Sequence, residues 1–209
     1  MDPLARTLVP RAPNAKPFEE TNPMDASTDQ LKRMVYAALM AALTAAGAYI
    51  AVPVGPVPIV LQNLFIMLAG LLLGGRWGLV SVGVYLLAGA VGLPVFAGGG
   101  GGIGKFVGPT GGYLLGFAAA AYLIGILSER GRGKVAVDVL AMIAGTLVIY
   151  AFGVCWLKVV TGMTFSKAAA VGMLPFLIGD ALKIAAAIPI ARALRPMIDG
   201  SWTAVRAAG

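Results

Sequence analysis

Two ionisable side chains, Asp180 and Lys183, lie in a segment near the C-terminus that is otherwise apolar or small from Val171 to Ile190. A charged side chain in the hydrocarbon core of a membrane costs about 2.5 kcal/mol or more. The i, i+3 spacing places both groups on one face of a helix, where they neutralise each other. Such a pair favours a site that holds a polar ligand. The alternatives are an acid and a base of an intramembrane enzyme, or an ion pair that only joins helices.

The composition indicates a membrane protein. The chain has 209 residues, 59% hydrophobic and 12% charged, and its mean hydropathy is +0.87, whereas soluble domains are about one quarter charged. The net charge of +7 flanks apolar segments, so we interpret it as a signal for membrane orientation and expect no nucleic-acid partner. With one cysteine and no histidine, the chain predicts no disulfide, metal site or cofactor, and no enzyme activity is expected.

Proline, glycine and charge divide the chain into an all-α membrane protein with six predicted transmembrane helices. We expect these helices at 31–50, 60–73, 77–93, 112–127, 135–156 and 169–194. Residues 1–30 are polar and rich in proline, which predicts a disordered tail, and the stretch LVPR within it resembles an added protease site. The membrane domain is therefore expected to span residues 31–209.

Lysine and arginine predict the orientation, because cytoplasmic flanks of membrane spans carry an excess of both. With the N-terminus inside, the basic residues of the spans collect on the inner side, and both termini are cytoplasmic. The outer connections hold only Lys105, Lys158 and Lys167. The proline-rich segment 51–59 and the glycine-rich segment 94–111 then face outside, and the charged pair lies in the outer half of the membrane.

The glycine-rich segment is predicted to be a gate. Its core, Gly98–Gly102, is followed by Lys105, and residues 99–105 match the spacing GxxxxGK of a phosphate loop. In a phosphate loop the next residue is Ser or Thr, and the whole motif follows a β-strand. Here position 106 is Phe and no strand is predicted before the loop. We therefore expect a loop that closes over a pocket, with a plain connection as the alternative.

Four segments in order resemble the BioY family, the substrate-binding (S) components of energy-coupling-factor (ECF) transporters for biotin. They are VPVGPVPIVLQNLFIMLAGLLLG at Val52–Gly74, VYLLAGAVGLPVFAGGGGG at Val84–Gly102, GPTGGYLLGF at Gly108–Phe117 and GDALKI at Gly179–Ile184. The resemblance covers nearly all of the chain after the tail.

This resemblance implies a six-helix protein of the bacterial cytoplasmic membrane that takes up biotin as its transported ligand. It also implies a transmembrane coupling protein and two cytoplasmic ATPases as partners, in a lipid environment. The oligomeric state stays open, a homo-oligomer included. An S component for another vitamin, an intramembrane enzyme and a structural scaffold are the other hypotheses.

The resemblance also carries a set of site residues. Asp180 and Lys183 match the Asp-x-x-Lys positions of the family. Further candidates can match the polar groups of the ligand, although each also has a purely structural alternative; they are Gln62, Asn63, Tyr85, Tyr113 and Lys105. In S components an alanine face on the first helix docks on the coupling protein, and the corresponding small residues here are Ala37, Ala38, Ala41 and Ala42. Packing within the bundle is the alternative for these alanines.

Overall fold

The computed structural model describes residues 23–52, 59–131 and 134–207. This part of the chain is helical almost throughout, as the sequence predicted. The helices are α1 (Pro23–Tyr49), α2 (Gln62–Ala90), α3 (Gly104–Val107), α4 (Gly111–Gly131), α5 (Val135–Thr161), α6 (Phe165–Gly172) and α7 (Leu177–Ala207). Two single 3₁₀ turns, Ala97–Gly99 and Leu174–Phe176, and two short strands, β1 (Ala51–Val52) and β2 (Ile59–Val60), complete it.

Helix α2 is a helical hairpin. Gly74 has φ 78° and ψ 178°, a conformation that is open to glycine and strongly unfavourable for residues with a Cβ. A Cβ placed on Gly78 would lie 3.1 Å from the Cα of Gly70, so the two halves fold back against each other. The prediction of two helices separated by a turn at this glycine is confirmed. We call the halves α2a (62–73) and α2b (75–90).

The sixth predicted helix is interrupted, and the prediction of one continuous helix from residue 169 is wrong. Helix α6 ends at Gly172, and the backbone at Met173 is non-helical with φ −133° and ψ −54°. Pro175 lies in the 3₁₀ turn that follows, where its missing N–H and fixed φ oppose a continuous helix. Helix α7 therefore begins at Leu177 and has Asp180 in its first turn.

The other boundaries differ less. Helix α1 begins at Pro23, eight residues before the expected start. The predicted disordered tail, residues 1–30, was therefore too long. Residues 1–22 lie outside the described residues. Ala51 pairs with Val60 and Val52 with Ile59 in antiparallel register. The proline-rich residues 53–58 between the two strands lie outside the described residues.

Polar contacts between helices distinguish the two ends of the bundle. At one end Arg195 of α7 contacts Asp138 in the first turn of α5 and the carbonyl of Leu71 in α2a. At the other end the Tyr49 hydroxyl of α1 donates to the carbonyl of Pro94. The described part of the chain, from Pro23 to Ala207, thus begins and ends at the end of the bundle that carries Arg195, which we call the inner end.

The membrane-spanning character follows from length and composition. By length and composition, four stretches of the described chain could cross a membrane: α4, α5, the combined α6–α7 stretch Phe165–Ile198, and α2 when its two shorter halves are counted together. Counting α2 as a hairpin and adding α1, which carries polar residues in its first third, gives the six helical segments of the predicted fold.

Helix α4 lies at the centre, packed between α2 and α5. Small residues allow this close approach, as they do between membrane helices generally. A Cβ placed on Gly125 of α4 would lie 2.2 Å from the nitrogen of Gly75 and 2.3 Å from the carbonyl carbon of Gly74. Since both neighbours are backbone atoms, they cannot move aside as a side chain could.

We predict that Gly125→Ala destabilises the protein. Overpacking of a core costs about 1–3 kcal/mol, which should lower the apparent Tm in detergent by several degrees. Gly83→Ala is the matched control, because it lies in a helix with nothing within 4 Å of an added Cβ. Equal Tm values for the two variants in a fluorescence melt would contradict this packing.

Candidate ligand-binding site

A cavity of about 580 Å³ lies between α2a, α4, α5 and α7, at the end opposite to Arg195 and under the glycine-rich segment. This volume is in the range of small-molecule sites, about 300–1,000 Å³. Apolar side chains form most of its walls: Val60, Phe96, Leu114, Phe117, Ile149 and Phe176. A few polar groups converge on it, which is the usual composition of a ligand pocket.

The polar centre of the cavity is the carboxylate of Asp180. Its Oδ1 accepts a hydrogen bond from Lys183 Nζ at 2.9 Å, and its Oδ2 accepts one from the hydroxyl of Tyr150 on α5. Asp180 and Lys183 are 2% and 8% exposed, so the predicted pair is present, buried and at a cavity. All three side chains line the cavity.

The break before α7 contributes to this arrangement. Because Asp180 lies in the first turn of α7, the positive end of the helix dipole stabilises its charge together with Lys183. The sequence analysis placed this carboxylate well inside one helix, where such stabilisation is absent. An anion in the bundle is thus held by a cation, a hydroxyl and a helix N-terminus.

The first residues of α2a supply amide groups. Gln62 is 2% exposed, lines the cavity and accepts a hydrogen bond from the Tyr85 hydroxyl through Oε1 at 3.3 Å. Its amide N–H₂ is therefore left to donate. Asn63 also lines the cavity, and its buried Oδ1 has no hydrogen-bond partner among the described residues. A buried polar atom without a partner is unusual, and this one belongs to a side chain in the cavity wall.

The two predicted tyrosines have different positions. Tyr113 lines the cavity, but its hydroxyl already donates to the carbonyl of Gly172 at 2.7 Å. Tyr85 does not line the cavity; it is 1% exposed and supports Gln62 from behind. The structure therefore places Tyr113 as a wall and Tyr85 as a support.

Lys105 stands at the mouth of the cavity. It is exposed, begins the short helix α3 with Gly104, and lines the cavity. The charged side chains that line the cavity are Lys105, Lys183 and Asp180. Their net charge is positive, which favours an anionic ligand.

The predicted gate residues, Gly98–Gly102, form an ordered loop. Phe96 and Gly100 exchange backbone hydrogen bonds of 2.8 and 3.2 Å, and Gly102 N–H donates to the Gly89 carbonyl at 2.7 Å. The ring of Phe96 packs edge-on against Tyr85 and Phe106. Of the five glycines, Gly101 lines the cavity.

The four alanines of α1 divide between two faces. Ala37 and Ala41 are 2% and 6% exposed and belong to the core, so as internal packing residues they are not available to a partner. Ala38 and Ala42 are exposed. Of the four alanines expected to dock a partner, Ala37 and Ala41 are therefore corrected to core residues, and docking by Ala38 and Ala42 stays a prediction.

Sequence analysis missed Tyr150. Its hydroxyl is the only polar group of its side chain, and a buried tyrosine hydroxyl usually has a partner; that was the available signal. Its partner, however, lies 30 residues away on another helix. No spacing rule along one helix predicts such a contact.

The fold and this cavity define a multi-pass membrane protein with a partly polar internal cavity of small-molecule size. The chain belongs to the BioY family, whose model matches residues 19–200. It is 46% identical over 164 residues to a protein of Pyrococcus horikoshii named as a probable biotin transporter BioY, covering 78% of this chain and 96% of that protein. It is 40% identical over 167 residues to the biotin transporter BioY of Thermotoga maritima, covering 80% and 98%.

A solved structure has the same fold. The S-component for biotin from an ECF-type ABC transporter superposes with a TM-score of 0.75 at 32% identity, covering 80% of this chain and 93% of that chain. The resemblance predicted from the four segments is confirmed. The relatives are named as transporters and not as enzymes, so the prediction of a transport protein is confirmed at that level.

We predict that Lys183→Met destabilises the protein more than the double variant Asp180→Asn/Lys183→Met. Removing one partner of a buried pair leaves an unpaired charge and costs on the order of 3 kcal/mol, whereas replacing both partners is often nearly neutral. Apparent Tm values in ligand-free buffer check this. If the double variant melted below the single one, Asp180 would not depend on Lys183 for its charge balance.

Proposed function

We propose that this protein is the biotin-binding S component of an energy-coupling-factor uptake system in the bacterial cytoplasmic membrane. The observation that carries the proposal is the cavity lined by Asp180, Lys183 and Asn63, whose buried Oδ1 has no hydrogen-bond partner among the described residues. Membership of the BioY family, with relatives named as biotin transporters, selects biotin from the ligands that such a cavity could hold.

The polar head of biotin suits these groups. A ureido ring offers two N–H donors and one carbonyl acceptor. Asn63 Oδ1 can accept from an N–H group, and the oxygens of Asp180 keep lone pairs beyond those used by Tyr150 and Lys183. Lys183 has three donors and uses one on Asp180.

The rest of the ligand suits the rest of the cavity. The fused rings and the aliphatic chain of biotin are apolar, as are most of the walls. The carboxylate at the end of that chain favours the mouth, where Lys105 is exposed. A ligand with its ureido ring at Asp180 and its carboxylate toward Lys105 would match both polar ends.

The inner end, with Arg195, carries most of the basic residues of the helix ends, including Arg76, Arg130 and Lys134. By the positive-inside rule this end faces the cytoplasm, so the cavity is next to the external side. Capture from outside is the direction that uptake requires.

Uptake against a gradient needs energy from partners, since no nucleotide-binding motif occurs in the sequence. The relative of known structure is a component of an ECF-type ABC transporter. We infer that a transmembrane coupling protein and two ATPases drive this chain, and that Ala38 and Ala42 on the exposed side of α1 contact the coupling protein.

Biotin should bind the purified protein with one site, and Asp180→Asn should weaken binding by about a hundredfold or more. The substitution removes the charge that balances Lys183 and one acceptor in a dry site, and charged hydrogen-bond partners carry large binding effects. Isothermal titration calorimetry in detergent checks this, with expression and elution profile as measures of folding.

A matched lysine pair controls for general effects of charge removal. Lys183→Met should also lose affinity, whereas Lys158→Met, at an exposed position near the end of α5, should bind like the original protein. Full retention of affinity in Asp180→Asn would reject this site. Mass spectrometry of the ligand that copurifies with the protein decides between biotin and another vitamin.

Partner docking through α1 predicts that Ala38→Leu/Ala42→Leu loses copurification with the coupling protein while biotin binding stays within about twofold. Larger side chains would prevent close helix approach. Ala151→Leu, an exposed small-to-large change on α5, is the control. Undiminished copurification of the α1 variant would place the docking surface elsewhere.

A further inference from the structure

A second buried ion pair lies at the inner end, far from the cavity. Asp138 on α5 is 3% exposed, and its Oδ2 accepts a hydrogen bond from Arg195 on α7 at 3.0 Å. Its Oδ1 accepts one from Ser128 on α4 at 2.6 Å. Arg195 also donates to Ser128 Oγ at 3.0 Å and to the Leu71 carbonyl of α2a at 3.2 Å. We call these four groups the inner cluster.

The inner cluster compensates for the break at Gly74. The carbonyls in the last turn of a helix lack partners within that helix, and the Leu71 carbonyl belongs to the last turn of α2a. Arg195 donates a hydrogen bond to this carbonyl. On the other side of the break, Gly75 N–H donates to Glu129 Oε1 at 3.2 Å. The guanidinium group thus holds the inner end of α2a as well as α5.

Apolar packing of α7 between Lys183 and Arg195 is only partly buried. Its fully buried side chains there are the small Ala187 and Ala191, at 0% and 2% exposure, and the larger Ile184, Ile188 and Leu194 pack against the core while partly exposed. Apolar packing is non-directional, so it defines the exact height and rotation of α7 less sharply than a hydrogen bond does. Polar bridges at defined points along α7 define both more closely.

Two such bridges join α7 to α5. One is Tyr150 to Asp180 at the cavity, and the other is Asp138 to Arg195 in the inner cluster. Asp180 and Arg195 are 15 residues apart on α7, about 22 Å at 1.5 Å per residue, with Pro189 between them, and both contact α5. A slide or rotation of α7 that follows loss of the Asp138–Arg195 bridge would shift Asp180 relative to Tyr150.

We propose that Arg195 is a positioning residue for the ligand site. It ties together the elements that carry the polar groups of the cavity: α7 with Asp180 and Lys183, α5 with Tyr150, and α2a with Asn63. Its effect on binding is exerted from the opposite end of the bundle, without contact with the ligand. The proposal rests on biotin as the ligand of the cavity.

The test is calorimetric titration of biotin into Arg195→Gln, Arg195→Lys and Arg192→Gln. Arg192 lies on the same helix and is exposed, so Arg192→Gln removes the same charge without disturbing the inner cluster. Arg195→Gln should raise the Kd about tenfold, equivalent to 1.4 kcal/mol, with unchanged stoichiometry. Arg195→Lys keeps a charge for Asp138 but not the fork of donors and should fall between, whereas Arg192→Gln should bind normally.

The stoichiometry separates positioning from simple stability. A residue that only stabilises the fold would lower the fraction of protein that binds and leave the Kd of the folded fraction unchanged. That result, or an unchanged Kd in Arg195→Gln, would overturn the proposal. If Arg195→Gln does not fold, Asp138→Asn, which keeps the shape and removes the charge, should raise the Kd about threefold or more at full stoichiometry; an unchanged Kd there would equally overturn it. Failure of the unmodified protein to bind biotin would instead reject the proposed function.

Discussion

The carboxylate of Asp180 is the group on which the ligand site depends. A buried carboxylate needs groups that stabilise its negative charge. Asp180 has Lys183 on its own helix, the Tyr150 hydroxyl on α5 and the positive N-terminal end of α7. Each source of compensation constrains a different element. The position of α7 relative to α5, the start of α7 and the face that it presents are therefore all linked to one buried charge.

The irregular parts of the chain make this possible. If α6 continued into α7, Asp180 would lie in a helix interior; the break at Met173 and Pro175 places it in the first turn of α7 instead. The break at Gly74 turns α2 into a hairpin, which brings Gln62 and Tyr85 to the same end of the bundle. In both places, non-helical backbone determines which polar groups lie at the cavity or directly behind its wall.

The cavity and the inner cluster follow one design at opposite ends of the bundle. Each has an aspartate in the first turn of a helix, a basic partner and a hydroxyl donor: Asp180 with Lys183 and Tyr150, and Asp138 with Arg195 and Ser128. They differ in their surroundings. Asn63, in the cavity wall, has an Oδ1 without a partner among the described residues, whereas the inner cluster is closed by hydrogen bonds within the protein and holds helices together.

The sequence alone determined the membrane character, the helical segments apart from the break before α7, the turn at Gly74, the family and the pair Asp180–Lys183. These follow from local composition and from spacing along one helix, which depend on nearby residues only. Which alanines of α1 face outward, the role of Tyr85 as a support, and the contacts of Tyr150 and Arg195 were decided by the tertiary structure. The reason is physical: a helix has several faces, and only packing against other helices determines which face is buried and which distant side chain completes a buried charge.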